Sequence, residues 1–331
     1  MRNHLLDNSK VAFLILVVFG HLLEVARGTS ASSQALYLFL YGVHIPGLVF
    51  LSGVFAHREI SAAALSSSVR LLLIPFIVFE VVYEGFHLLT YGTVSHYASG
   101  CEPHWLLWYL LSLFMWRLIL PVVLLFRAPL LCSVGLALGA SCFEQAGYYL
   151  GISRTLVFFP FFVLGALWRE RLGAVTSSWL KQACAVVVLS AGLYLAFCLR
   201  GEDPGWVYGS KSFAALGVGS LEGVLIRLGL YGASGLAVFS VIYLMPRSET
   251  PLGQRAGNMI WVYLWHGVLV RLGEGAGVFH ALNALQPAVL YLLYSTTAIG
   301  MFVVLSSNAV KTFSEKVVVV PLGRLLLKSP H

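Results

Sequence analysis

Lys10 and His21 enclose a hydrophobic run, KVAFLILVVFGH, and they are the residues of this chain whose types and spacing suggest chemistry most directly. In an α-helix, eleven residues return to within about 20° of the same face and advance roughly 16 Å along the axis. A cation near one membrane surface would then be aligned with an imidazole about half a bilayer deeper. Because ionisable groups at that depth are costly, we interpret His21 as a functional residue within a membrane.

Glu24 follows His21 by three residues and lies on the same helix face. A carboxylate beside an imidazole fixes its tautomer and raises its basicity, as a general base for an alcohol requires. The alternative is that His21 is hydrogen-bonded between helices and only holds a bundle together. We interpret His266, in the run WVYLWH, in that structural sense.

A second polar stripe consists of Glu80, Glu84 and His87, at positions i, i+4 and i+7 of an otherwise apolar segment. Glu80 lies about ten residues after Arg70, near the middle of a predicted span, so we expect it to be a neighbour of His21. Glu84 and His87 are nearer the end of that span, where solvated polar groups at the outer mouth cost little.

Aromatic residues and one cation mark the predicted outer surface. Trp105, Trp108, Trp206 and Tyr208 fit an aromatic belt, which needs no ligand, or they stack on sugar rings. Arg154 stands beside a Phe-Phe-Pro run, where a cation could hold a hydroxyl-rich or anionic molecule.

The composition indicates which elements position these residues. Of the 331 residues, 59% are hydrophobic and 11% are charged, against about 25% charged in an ordinary soluble domain. Apolar stretches long enough to cross a hydrocarbon core about 30 Å thick recur along the whole chain. We predict an all-α, polytopic transmembrane helix bundle, a single integral domain over 1–331. Its spans, about ten in number, are predicted near 11–26, 35–56, 70–91, 105–126, 130–150, 154–169, 179–200, 220–245, 257–274 and 288–310.

The distribution of lysine and arginine predicts that both termini are cytoplasmic, in the plasma (inner) membrane. The net charge of +7 is then mostly a topology signal and gives no reason to expect a nucleic-acid partner. The tail 311–331 contains Pro321, is too short to span, and is predicted to lie at the interface. The basic residues predicted inside are Arg2, Lys10, Arg58, Arg70, Arg127, Arg169, Arg171, Lys181, Arg247, Arg255, Lys311, Lys316, Arg324 and Lys328. Those predicted outside are Arg27, Arg154, Arg200, Lys211 and Arg271.

Several function classes are disfavoured. The five cysteines form no disulfide framework, and CxxC, HExxH and Walker signatures do not occur in the sequence, so we expect neither a metal site nor an ATP-driven motor. A secondary transporter stays open as an alternative, although its usual inverted halves with broken spans are not evident. A structural scaffold or sensor is the third possibility.

Five segments in order, spanning Leu6 to His266, resemble the acyltransferase-3 family, in particular its fucose 4-O-acetylase-like branch. The segments are LDNSKVAFLILVVFGHLLE, VHIPGLVFLSGVFA, HWLLWYLLSLFMWRLILP, SRTLVFFPFFVLGALWR and GNMIWVYLWH. The resemblance implies a bundle of about ten helices that takes an acyl group, most commonly acetyl, from cytoplasmic acyl-CoA. It further implies delivery to a hydroxyl on the far face, on an exopolysaccharide, a lipopolysaccharide-type glycan, or a glycolipid such as a trehalose mycolate.

By the same resemblance, Lys10 and His21 match the family's R-x10-H motif, with lysine in place of arginine. Lysine keeps the charge but loses the planar fork that suits phosphate. Arg70 matches the family's cytoplasmic basic pair, with Arg58 further off, and His44 matches its H-x-P segment.

Acetyl-CoA is already activated, so direct attack in a ternary complex is preferred over a covalent acyl-enzyme, and no metal is required. The predicted catalytic residues are His21, Glu24 and Glu80; those for the acyl donor are Lys10, Arg58 and Arg70; those for the acceptor are His44, Trp105, Arg154 and Trp206.

Overall fold

The computed structural model describes residues 3–144, 147–171 and 178–326. Within these ranges all regular secondary structure is helical, which confirms the all-α prediction. The orientation prediction also used Arg2 and Lys328, and the tail prediction included 327–331; these lie outside the described residues.

The first half of the chain contains eight α-helices. A π-helical turn, Val69–Leu73, joins the third to the fourth, and a 3₁₀ turn, Trp105–Leu107, precedes the sixth. They are α1 His4–Glu24, α2 Ala31–Val54, α3 Ala62–Ser68, α4 Ile74–Tyr91, α5 His96–Gly100, α6 Trp108–Val123, α7 Pro129–Cys142 and α8 Ile152–Trp168.

Eight more α-helices follow. A 3₁₀ segment, Gly253–Asn258, leads into the twelfth, and a π-helical turn, Glu315–Val319, joins the last two. They are α9 Trp179–Cys198, α10 Gly205–Tyr208, α11 Ser220–Leu244, α12 Met259–Gly275, α13 Val278–Leu282, α14 Pro287–Leu305, α15 Asn308–Ser314 and α16 Val320–Leu326.

Eight helical segments among the described residues are long and apolar enough to cross a membrane, and each overlaps a predicted span. The fifth and ninth predicted spans correspond to α7 and α12, which are helices of 14 and 17 residues. Ten spans and cytoplasmic termini therefore stay predictions. The eight segments are His4–Glu24, Ala31–Val54, Ala62–Tyr91, His96–Val123, Tyr149–Trp168, Trp179–Cys198, Ser220–Leu244 and Pro287–Leu305.

The boundaries differ from the predicted ones where capping residues extend a helix. Helix α1 begins seven residues before its predicted span because the Asn3 side chain accepts a hydrogen bond from the Leu6 backbone N–H (3.2 Å). Ser61 caps α3 in the same way, through the Ala64 N–H (3.1 Å). The tail is helical through Leu326, and Pro321 lies just after the π-helical turn Glu315–Val319 without ending the helix.

The chain divides into two compact units. The first unit comprises Met1–Leu51, Arg169–Val207 and Leu225–Asn308; the second comprises Ser52–Trp168, Tyr208–Val224 and Ala309–His331. The single domain expected over 1–331 remains a prediction.

In the first unit, α1 packs against α12 and α14. The Asn8 side chain fixes the N-terminal end of α1, because it donates to the backbone oxygens of Pro246 (2.8 Å) and Ser248 (3.0 Å). It also accepts a hydrogen bond from Thr250 Oγ1 (2.5 Å). Gly253 is required beside it, since a Cβ there would lie 2.2 Å from Asn8 Oδ1. The axial position of α1, and with it that of His21, is thus set by a buried polar anchor.

In the second unit, α6 packs against α8. Trp116 is fully buried and donates from Nε1 to the Thr155 carbonyl (2.7 Å), and Ser112 and Thr155 share a hydroxyl hydrogen bond (2.6 Å). A Cβ on Gly53 would overlap the Phe162 carbonyl oxygen, so this end of α2 packs directly on the α8 backbone.

Candidate active site

Two buried histidines meet in the first unit. His21 on α1 is 7% exposed and His266 on α12 is fully buried. Nδ1 of His21 lies 2.8 Å from Nε2 of His266, and the two ring planes are 11° apart. The structure therefore brings together a residue predicted to be catalytic and one predicted to be structural.

A backbone carbonyl determines which nitrogens of this pair carry hydrogen. Nδ1 of His266 lies 2.9 Å from the Val262 carbonyl oxygen, which can only accept, so this nitrogen is the protonated one. In the neutral ring, Nε2 of His266 is then an acceptor, and Nδ1 of His21 donates to it. His21 is left with its lone pair on Nε2, which is the form that a general base needs.

Glu24 makes a hydrogen bond to a residue of the next helix. Its carboxylate accepts from the Tyr41 hydroxyl (3.1 Å), and Tyr41 packs edge-on to His21, with ring centroids 6.4 Å apart. His266 thus lies at Nδ1 of His21, and Glu24 secures an aromatic wall beside His21. The support of His21 by Glu24 stays a prediction.

His44 lies beside the same wall, with its ring edge-on to Tyr41 at 4.7 Å. It is fully buried, and the Leu40 backbone, one turn earlier on α2, is close enough to interact with its ring. Gly20 leaves room for it, since a Cβ there would lie 3.1 Å from His44 Cε1. Its role in acceptor binding stays a prediction.

The three cations predicted for the acyl donor lie in different surroundings. Lys10 is part-buried on α1 and pairs with Asp7 (Nζ to Oδ1 3.4 Å). Arg58 is exposed and donates from Nη2 to the Ala166 carbonyl (2.7 Å), and Arg70 lies half-buried in the π-helical turn. Lys10 belongs to the first unit and the arginines to the second, so their joint contact with one CoA remains a prediction.

Glu80 and Glu84 join an outer-loop histidine in the second unit. Nδ1 of His104 contacts Glu80 Oε2 (2.5 Å) and Nε2 contacts Glu84 Oε2 (3.0 Å). The His104 backbone N–H also binds Glu80 (2.9 Å), and Ser95 donates from its hydroxyl to Glu84 (2.5 Å). Both nitrogens of His104 are engaged by carboxylates, so this cluster ties the segment 95–104 to α4. The expected proximity of Glu80 to His21 stays a prediction.

The predicted acceptor-side residues have different surroundings. Trp105 follows His104 directly and has a left-handed backbone (φ 39°), which is strained for an aromatic residue. Trp206 is buried beneath Arg227, whose Nη1 donates to the Trp206 carbonyl (2.6 Å). Arg154 lies in the second unit, surrounded by three aromatic rings, Trp108, Tyr148 and Tyr208.

Arg117 is a polar residue within a span that the sequence did not assign to a site. It lines a shallow cleft of the second unit and donates from Nη1 to Ser68 (3.2 Å). His57 and Glu59, on either side of Arg58, line the same cleft, so a surface near one predicted donor residue contains a further cation. Among the described residues, no group of three or more His, Cys, Asp or Glu side chains could hold a metal ion.

Comparison with known proteins adds the family. Residues 3–307 match the family model Acyl_transf_3, described as an acyltransferase domain. No curated protein and no solved structure matches the chain. The fucose 4-O-acetylase-like branch accordingly stays a prediction. Because the match covers nearly the whole chain and includes α1, α12 and both buried histidines, the protein belongs to the acyltransferase-3 family of membrane-integral acyltransferases.

Proposed function

We propose that this membrane acyltransferase moves an acyl group, most commonly acetyl, from cytoplasmic acyl-CoA to a hydroxyl of an extracytoplasmic glycan or glycolipid. Its site would lie in the plasma membrane, with donor and acceptor entering from opposite faces. The observation that carries the proposal is the hydrogen-bonded series from the Val262 carbonyl through His266 to His21, which presents Nε2 of His21 as a base.

The reaction needs one proton acceptor and no resident cofactor. The acceptor hydroxyl oxygen attacks the thioester carbonyl carbon while Nε2 of His21 takes the hydroxyl proton. The carbon–sulfur bond then breaks, and the leaving CoA thiolate takes the proton from the His21 imidazolium. The products are an ester on the acceptor and free CoA, and His21 returns to its neutral form.

The arrangement of α1 supports a donor path from the cytoplasmic side. Lys10 precedes His21 by eleven residues on one continuous helix, so the two lie on nearly the same face about 16 Å apart along the axis. A cation at Lys10 suits the phosphates of CoA, and the pantetheine arm would follow α1 toward His21. Arg70 and Arg58 are proposed to complete the phosphate contacts.

Sealed vesicles with a uniformly oriented protein test this proposal. Radiolabelled acetyl-CoA supplied on the N-terminal side should be consumed when an envelope glycan extract is present on the other side, and labelled ester should appear only there. Labelled product formed with both substrates confined to the N-terminal side would contradict transfer across the membrane. Counterflow of an unmodified solute without ester formation would favour a secondary transporter instead.

A further inference from the structure

Arg154 lies in the first turn of α8, inside a cage of three aromatic rings. Its guanidinium carbon is 5.3 Å from the centre of a Trp108 ring, 5.0 Å from that of Tyr148 and 5.9 Å from that of Tyr208. Cation–π contacts of this kind hold a guanidinium in place without using its N–H groups.

Hydrogen bonds fix two of the cage walls. Ser210, which is buried, donates from Oγ to the Tyr148 hydroxyl (2.9 Å). Ser153, next to Arg154 on α8, is also buried and donates to the Gly209 carbonyl (2.9 Å). The segment that carries Tyr208 is therefore attached at two points, Tyr148 and Ser153.

The third wall and the backbone before the helix are equally constrained. Trp108 stacks on Phe158 of α8, with centroids 5.6 Å apart and planes 29° apart. Leu150 and Gly151, directly before α8, both have left-handed backbones (φ 46° and 66°). A left-handed leucine costs conformational energy, and it persists here where the chain turns into the helix that bears the cage.

The donors of Arg154 have no protein partner among the described residues. Its Nε is buried without a hydrogen bond, and the contacts of its guanidinium with described residues are the three aromatic ones. Arg200 on the predicted outer side differs, because it stacks on Phe197 and also donates to the Phe197 carbonyl (2.7 Å). Arg154 is therefore held in position while its N–H groups remain available to a ligand. The side chain of Tyr148 is 39% exposed, so the cage is open to solvent on that side.

We propose that Arg154 binds an oxyanion, a carboxylate or a phosphate, attached to the sugar of the acceptor. This rests on the proposed function for the identity of the acceptor, and it narrows that function to acidic glycans or glycolipids. Because the rings contact the faces of the guanidinium, its N–H edge can donate two parallel hydrogen bonds to an oxyanion. The three rings carry no negative charge, so they do not neutralise the positive charge of Arg154.

Direct binding tests the site independently of acyl transfer. We would measure the affinity of purified protein in nanodiscs for glucuronate, glucose 6-phosphate and glucose, by calorimetry and by quenching of tryptophan fluorescence. At least one of the two anions should bind about tenfold or more tightly than glucose. The one preferred identifies the carboxylate or the phosphate as the source of the oxyanion.

Arg154→Gln should abolish the difference between anion and glucose, and Arg200→Gln, the matched control, should keep it. Arg154→Lys keeps the positive charge in the cage but loses the planar guanidinium, so its anion affinity should fall between those of wild type and Arg154→Gln. This variant replaces Arg154→Gln in the test if Arg154→Gln does not fold. Equal affinity for anions and glucose in wild type, or unchanged anion affinity in folded Arg154→Lys and Arg154→Gln, would overturn the proposal. Anion binding that persists in protein without acyltransferase activity would contradict the proposed function alone.

Discussion

Two histidine clusters of this protein differ in the chemistry of the groups around the ring. In the first unit, His21 donates from Nδ1 to another imidazole, that of His266, whose own N–H is directed to a backbone carbonyl. In the second, carboxylates of Glu80 and Glu84 engage both nitrogens of His104. We propose that the first arrangement suits a base and that the second braces the segment 95–104 against α4. What bonds to the ring, and not the mere presence of a buried histidine, is the difference that the following predictions test.

The largest effect that this comparison predicts is the loss of His21. His21→Ala should lower kcat by about 10² to 10⁴, because the acceptor hydroxyl loses its general base. Turnover of purified protein with acetyl-CoA measures it, and His280→Ala, at an exposed position of the same unit, is the control. A folded His21→Ala protein with more than half of wild-type turnover would contradict the assignment.

A smaller effect is expected at His266. His266→Phe keeps an aromatic ring but removes the acceptor that fixes the His21 tautomer, so kcat should fall by about 10- to 100-fold with the KM for acetyl-CoA unchanged. His266→Gln restores an acceptor atom and should recover part of the rate. Equal kcat in folded His266→Phe and wild type would show that the pair is only structural.

The basic residues proposed to bind the acyl donor should have smaller effects on catalysis than the two histidines. Lys10→Ala and Arg70→Ala should each raise the KM for acyl-CoA about fivefold, since each removes a cation from the predicted phosphate contacts. Arg58→Ala should raise it less, because Arg58 already donates to the Ala166 carbonyl. Steady-state kinetics with varied acyl-CoA at fixed acceptor measure all three. An unchanged KM in both Lys10→Ala and Arg70→Ala would exclude their role at the donor.

His104→Ala should have the smallest effect on activity and a clear effect on stability. Removing the imidazole takes one hydrogen-bond partner from each of two part-buried carboxylates, so the free energy of unfolding should fall by about 1.5–3 kcal/mol. Denaturant unfolding in detergent measures this, while the kcat of the folded fraction should stay within about twofold of wild type. A hundredfold loss of kcat in folded Glu80→Gln would instead support the prediction that Glu80 acts beside His21.

The sequence predicted features formed by residues that are close together in the chain, and it missed contacts between residues that are far apart in the chain. Hydrophobic runs located a helix at every predicted span, and the eleven-residue spacing placed Lys10 and His21 on one face of α1. The partner of His21 is 245 positions away on α12, and no periodicity of either helix can reveal such a pairing. Glu24 was chosen because it is a near neighbour on the same helix, whereas its hydroxyl donor comes from α2.

The second unit shows the same limit. The stripe of Glu80 and Glu84 was visible in the sequence, but its hydrogen-bond partner, His104, lies in a loop, 24 positions after Glu80 and 20 after Glu84. A loop histidine placed just before a span was the one available signal. Helix ends were shifted by caps such as Asn3, whose contribution of about 1 kcal/mol is small beside the hydropathy that locates the span.

The Asn8 anchor has a consequence for the lengths of two helices. Asn8 meets Gly253 at one end, His21 meets His266 at the other, and in each segment thirteen positions separate the two contacts. Helix α1 and the segment that leads from Gly253 through the 3₁₀ stretch into α12 therefore run in the same direction, with equal numbers of residues between their two contacts. One inserted or deleted residue in either segment would turn its histidine by about 100° and shift it by about 1.5 Å. We therefore expect these two segments to tolerate substitutions far better than insertions or deletions, because the number of residues between the two contacts keeps His21 aligned with His266.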